Sequence, residues 1–234
     1  QDDDEVVQSA GSLAVTVEQL LGKELANDLQ ALIQMLSDLG ATAAGNAEKI
    51  EMVLNELTRI EGAAQNLRGD LFELVIGNIV KAIEKGSLSV GREIQHSTQA
   101  LKAELDVRLD TKDRDNTLII ECKAKIPGSK VSEAEVRKWF EIKIPRIVEI
   151  LRSDPYCYER ILRFEMWTNG IFHPKAMAWL EGKKTEFEDE GYSVGWRDGV
   201  AVKRYCNKVR DKAIKNILRE HYFNHPLAKL ATEK

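Results

Sequence analysis

LKAELDVRLDTKDRDNTLIIECKAK, residues 101–125, reads as two strands joined by a polar turn. In the first, Leu101, Ala103, Leu105, Val107 and Leu109 alternate strictly with Lys102, Glu104, Asp106, Arg108 and Asp110, which predicts one apolar and one charged face. In the second, Leu118, Ile120, Cys122, Ala124 and Ile126 share a face opposite Thr117, Ile119, Glu121, Lys123 and Lys125. Folded about the turn between Asp113 and Arg114, the pair sets Leu105 against Cys122, Val107 against Ile120 and Leu109 against Leu118. A slip of one residue would put charges into the core. The same register sets Glu104 opposite Lys123, an ordinary surface pair, and Asp106 opposite Glu121, which is not ordinary. Two carboxylates about 5 Å apart at Cβ destabilise a strand pair. A divalent cation removes the conflict, because Mg²⁺ takes hard oxygen ligands and is held by one or two carboxylates completed by water and phosphate. The expectation is that Glu121 holds a metal ion and Lys123 stands beside the attacking water.

Around this pair, helix and strand patterns alternate. DLFELVIGNIVKAIEKG, residues 70–86, reads as a helix with Phe72, Val75, Ile76, Ile79 and Ile83 on its apolar face and Gly86 as its stop. A short strand is expected at SVGREIQH. SEAEVRKWFEIKIPRIVEIL reads as a helix with Ser132 as N-cap and a kink at Pro145. RILRFEMWTNGIF reads as a strand, HPKAMAWLEGKK as a short helix, and YSVGWRDGVAVKRYC as one or two strands around Asp198-Gly199. A last helix is expected from about 207 to 222. Ahead of this body, Leu25, Leu29, Leu32, Leu36 and Leu39, then Ile50, Val53, Leu57, Ile60, Ala64 and Leu67, follow heptad-like spacing on two helices. The domain reading is a helical hairpin over 1–67, for packing or for association with a second copy or another protein, and an α/β body over 68–234.

The 234 residues are 43 % apolar, enough for a core. No apolar run approaches the roughly 20 residues that cross a bilayer, so no membrane is expected. Three separated cysteines give neither a disulfide framework nor a zinc pattern and fit a reducing cytoplasm. Residues 1–66 hold twelve acidic residues against three basic, whereas the remainder holds 31 basic and 26 acidic. A basic body points to a polyanion. The candidate phosphate contacts are Lys138 and Lys143 on the helix after the second strand, with Arg204, Lys208 and Lys212 near the C-terminus. Trp139, Trp167, Trp179 and Trp196 are expected as core or partly buried packing.

An Asp on one strand followed by Glu-x-Lys on the next resembles the signature of the PD-(D/E)XK nuclease superfamily, the restriction-endonuclease-like fold. Here the motif is Leu105-Asp106, fourteen residues, then Glu121-Cys122-Lys123. RGDLFELVIGNIV is similar to that family's first helix, with Glu73 at the position that often completes the site. FEMWTNGIFHPKAMAWLE resembles the strand and helix after the core in Mrr-type restriction endonucleases, with Thr168, Asn169, Gly170, Phe172 and Ala176 at matching places. Leu105 stands where the family name has Pro, and Glu121 where the Mrr branch often has Gln. The resemblance spans about residues 68–205.

It implies a mixed sheet flanked by helices and hydrolysis of phosphodiester bonds in DNA. Asp106 and Glu121, with the Cys122 carbonyl, would hold Mg²⁺ or Mn²⁺, and Glu73 would complete the site or serve a second ion; Lys123 would position the nucleophilic water or stabilise the transition state. The Cys122 side chain itself is expected in the core. Restriction, phage defence or repair is the implied setting. Two alternatives stand beside it: a nucleic-acid-binding or assembly module whose cleavage depends on a partner, and an RNA-cutting member of the same fold.

Overall fold

A computed structural model of the chain describes residues 65–112, 115–125 and 129–223. Leu71, Phe72, Val75, Ile76, Ile79 and Val80 recur at helical spacing and are all buried on the first helix, α1, Gln65–Glu84. Its stop is not Gly86. Lys85 takes the left-handed conformation (φ 54°), and Gly86 already begins β1, Gly86–Gln95. There a Cβ would collide with the Asp110 carbonyl, so glycine is required by close approach of two strands.

β1 pairs antiparallel with β2, Lys102–Thr111, and β2 antiparallel with β3, Asn116–Lys123. β5, Ile161–Thr168, lies parallel to β3, and β7, Ser193–Arg197, parallel to β5. The result is a five-stranded mixed sheet in the order β1-β2-β3-β5-β7. A second, two-stranded parallel piece joins β4, Lys130–Val131, to β6, Ile171–Phe172. β3 is buried along nearly its whole length, as a central strand covered on both faces must be.

Two apolar layers cover the sheet. On one face α1 packs with α5, Gly199–Cys206, and α6, Lys212–Leu218. On the other lie α2, Glu133–Arg137, α3, Ile144–Arg152, and α4, Pro174–Asp189. Trp139 and Trp167 are fully enclosed, while Trp179 and Trp196 pack partly buried, in keeping with their expected packing role. Cys122, Cys157 and Cys206 are free and buried. Among the described residues no helix is long and apolar enough to cross a membrane.

Several sequence expectations shift in detail. Ser132 caps α2 with Glu135 in a reciprocal capping box. The kink expected at Pro145 takes the form of a π-helical turn, Lys138–Lys143, just before α3. Of the one or two strands expected around Asp198-Gly199, one is present, β7, and the segment after Asp198 is a helix. The Asp198 carboxylate accepts from the Ala201 N–H and starts α5, whose Val202, Tyr205 and Cys206 are buried at helical spacing. The last helix is correspondingly shorter, α6 followed by a π-helical turn at Arg219–Phe223. The hairpin expected within 1–67 lies outside the described residues except for 65–67, which form the start of α1.

Candidate active site

The expected register of β2 and β3 is present for Val107–Ile120, Arg108–Ile119, Leu109–Leu118 and Asp110–Thr117, and then the pairing stops. Asp106 is the next residue, and on its other side the β1–β2 ladder skips the Gly91–Asp106 position as well. Gly91 has φ +61°, which turns the strand over. Both strands exchange faces there. Leu88, Val107 and Leu109 pack in the α1 layer, whereas Ile94, Ala103 and Leu105 pack in the α2–α4 layer. The unbroken alternation expected over residues 101–109 is thus corrected, and so is the Leu105–Cys122 pair. At the point of exchange one Asp106 carboxylate oxygen accepts the Cys122 N–H at 2.7 Å, in the place of a strand carbonyl.

This parting of β2 from β3 brings the candidate residues together. Asp106 sits in the opening. Glu121 and Lys123 project from β3 on the side of the π-helical turn, as Ile119 does. Glu73 approaches from α1, close enough that Asp106 and Glu121 act on its charge. The face exchange also carries Glu104 toward α1, where it acts on Asp70 and Glu73. The expected Glu104–Lys123 pair is not formed. Lys123 instead donates to Glu121 at 2.7 Å.

Glu121 is almost fully buried and carries a second ammonium group. Lys143 Nζ donates to both of its oxygens, at 2.9 and 2.7 Å, and lies 5.8 Å from the Trp139 ring centre. Lys143 therefore belongs to this cluster and is not an outlying surface cation. Lys138, expected beside it as a phosphate contact, is exposed at the start of the same turn.

The charges are unbalanced. Burial, then the charges of Asp106, Asp70, Glu104 and Glu121, push the Glu73 carboxyl far above the ordinary carboxylate range. Burial and then Glu121 likewise raise Asp106, against a partial offset from the Cys122 N–H, Lys143 and Lys123. Burial, then Glu104, pushes Asp70 up to about 6. Desolvation would lower the Lys123 ammonium, but Glu121, by charge and hydrogen bond, and Asp106 hold it above its usual range. Burial, then Asp106, Glu73 and Glu121, raise the Cys122 thiol well above normal, so it is no nucleophile. Its side chain packs in the α1 layer, as expected.

The neighbouring loops are tied to the end of β3. Thr168 Oγ1 donates to the Lys123 carbonyl at 2.7 Å, and the Asn169 side chain both accepts from the Lys125 N–H at 2.6 Å and donates to the Lys125 carbonyl at 2.9 Å. Lys125 pairs with Glu135 at 2.6 Å. Sequence reasoning passed over Asp70 and the position of Lys143. Asp70 precedes Glu73 by three residues and so shares its helix face, and Lys143 interrupts the buried run Trp139, Phe140, Ile144, Ile147.

Among the described residues, no group of three or more His, Cys, Asp or Glu side chains is arranged as a metal-ion cage. The donor chemistry nevertheless fits a hard cation. Asp106, Glu73 and Glu121 supply only oxygens, and their mutual repulsion is relieved by positive charge between them. Arg204 and Lys208 lie well along the chain from this cluster, on and just after α5, and Lys208 sits over the Tyr205 ring at 5.2 Å.

No protein-family model matches the chain, and no curated protein matches it. Among solved structures it is similar to the crystal structure of protein VC1899 from Vibrio cholerae, at 15 % identity and a TM-score of 0.40. That likeness covers 88 % of this chain and 54 % of the other, so the chain spans about half that protein's length. At this score it fixes neither fold family nor function.

Proposed function

We propose that the chain is a metal-dependent endonuclease that hydrolyses phosphodiester bonds in DNA, built on a restriction-endonuclease-like core. One observation carries the reading: where β2 and β3 part, Asp106, Glu121 and, from α1, Glu73 act on one another's charge, Lys123 is bonded to Glu121, and carboxylates are in excess. A mixed sheet flanked by helices is the coarse architecture that the resemblance implies. A second ionic cluster, part-buried around the buried Glu165, offers a contrast. There Glu84 and Glu165 are matched by Arg163 and Arg197, at 2.7 to 3.4 Å, and no carboxyl is left over. Perturbed, unbalanced groups in an opening mark function more often than architecture.

In this reading Asp106, Glu121 and the Cys122 carbonyl hold Mg²⁺ or Mn²⁺, with Glu73 completing the site. The ion, when bound, neutralises charge on the phosphate and lowers the pKa of bound water. Lys123 orients the nucleophilic water or stabilises the developing charge from its place beside Glu121. Lys143 neutralises Glu121 before a cation arrives.

The test is incubation of the purified chain with plasmid, single-stranded DNA and RNA in Mg²⁺, Mn²⁺ or EDTA. Cleavage of DNA that needs the cation and is lost in Glu121→Ala and Lys123→Ala is expected. Equal cleavage by the parent and both variants would overturn the assignment. The capping of Glu121 by two lysines favours a second reading, in which cleavage starts only once a partner or substrate draws Lys143 away; activity only on adding such a partner would support it.

A further inference from the structure

α5, α6 and the π-helical turn after them border an open pocket of about 290 Å³ that contains none of the carboxylates described above. Among the described residues its lining includes Lys203, Lys212, Lys215 and Arg219, with Asn207 and Asn216 between them, and no acidic residue. Among the described residues Lys212 and Lys215 form no ion pair. Lys203 only faces the Phe223 ring at 5.9 Å, and Arg219 reaches the exposed Glu220 at 2.9 Å. Asp211, next to Lys212 in sequence, is committed as the N-cap of α6. Four like charges around one cavity repel one another, and phosphate groups are the anions that relieve this with several contacts at once.

The pocket is joined to the end of the sheet that carries Lys123. Asn169, which grips Lys125 just beyond β3, also donates to the Tyr222 carbonyl at 3.2 Å. A Cβ on Gly199, at the start of α5, would meet both the Asn169 carbonyl and the Phe223 ring. On α1, Arg68 donates to the His221 carbonyl and accepts from the Tyr222 hydroxyl through its own carbonyl. The segment that walls the pocket is therefore fastened both to the β3 end and to the helix that presents Glu73.

We propose that this pocket is a metal-independent anchor for the phosphodiester backbone of a nucleic-acid strand, separate from the carboxylate cluster. The anchor rests on the nuclease reading for its nucleic-acid ligand, and it is testable apart from cleavage. Lys212 is a candidate phosphate contact from the sequence, and the pocket groups it with Lys203, Lys215 and Arg219 of the same basic C-terminal stretch.

Binding of a labelled oligonucleotide, single-stranded or duplex, to the full chain is measured by fluorescence anisotropy in EDTA over 50–200 mM salt. Lys212→Gln/Lys215→Gln and Lys203→Gln/Arg219→Gln should each weaken binding about tenfold. Each should also lower the slope of log affinity against log salt by about 2, as expected for two lost phosphate contacts. The charge-matched control Lys183→Gln/Lys184→Gln, on α4, should change binding less than twofold. All four targeted side chains are at least partly exposed, and unchanged circular dichroism and melting temperature check that the variants fold. Equal losses in the pocket and control variants, parent-like binding by both pocket variants, or no binding by the parent would overturn the anchor. So would pocket-dependent stabilisation by inorganic phosphate or a mononucleotide without oligonucleotide binding, since the ligand would then be a small phosphorylated molecule. If pocket-dependent binding persists but no metal supports cleavage, the nuclease reading falls alone. If Glu121-dependent cleavage occurs while the pocket variants bind normally, the anchor falls alone.

Discussion

Lys143 shows how much a single side chain decides in this site. Glu121 is 3 % exposed, and its charge is tolerated because two ammonium groups meet it. Lys143→Met should therefore have opposite effects on two measurements. Stability in EDTA should fall by about 1–2 kcal/mol in urea unfolding, because a buried carboxylate loses one of its partners. Mn²⁺ affinity by calorimetry should rise several-fold, because the cation no longer competes with Lys143; no change in either would remove Lys143 from the site. The acids give a pH prediction. Asp70, Glu73 and Asp106 have folded-state values raised above their unfolded ones, so the native protein binds more protons than the unfolded chain between those values. Their favourable contribution is complete below about pH 4 and is lost as pH rises, through about 6 for Asp70. In EDTA the melting temperature should fall from pH 5 to 7.5, and Mn²⁺ should restore it most at the higher pH. A flat or rising profile without cation would contradict the unbalanced cluster. Asp106, Glu121 and Lys123 stand out in the sequence through strand alternation and the Glu-x-Lys spacing, and Glu73 only through the family resemblance. Lys143 was legible only as a charge, since its partner is 22 positions away in sequence.

At the scale of elements, the reading succeeded where periodicity is local and failed where one residue reverses it. The register of β2 and β3 followed from matching apolar faces. The exchange of faces at Asp106 did not, because its cause is Gly91 on a different strand, opposite it. Gly91→Ala meets open space, so its cost is the left-handed backbone alone, about 1 kcal/mol. Any cleavage should drop with it, since Asp106 is placed by that turn, while Gly182→Ala, inside α4 and equally open, should leave cleavage unchanged. Denaturant unfolding and plasmid cleavage on the two variants check this. The helix α5 escaped detection for a related reason. Its sequence, GVAVKRYC, is rich in β-favouring residues, and the cap from Asp198 together with packing on β5 overrides that propensity.

For the whole molecule, two ionic clusters hold different offices. The balanced one joins α1, β5, β7 and α5 through Glu84, Glu165, Arg163, Arg197 and the Tyr205 hydroxyl. Glu165 also accepts from the Trp167 indole at 2.7 Å. Glu165→Ala should destabilise the fold by about 3–5 kcal/mol, as breaking a buried pair does, without a metal-dependent component. Loss of stability that Mn²⁺ reverses would place this cluster with the site instead. The mixed α/β architecture was legible from the alternation of helix and strand patterns, whereas the pocket between α5 and α6 was not, because its cations come from two helices and a turn whose angles no sequence period encodes. In the other cluster acids outnumber bases. The most direct measurement is anomalous X-ray scattering from crystals of the chain grown with Mn²⁺. The account predicts one manganese peak bridging the Asp106 and Glu121 carboxylates beside the Cys122 carbonyl, with Lys143 Nζ withdrawn from Glu121. No peak there at saturating Mn²⁺, with both lysines still on Glu121, would contradict it.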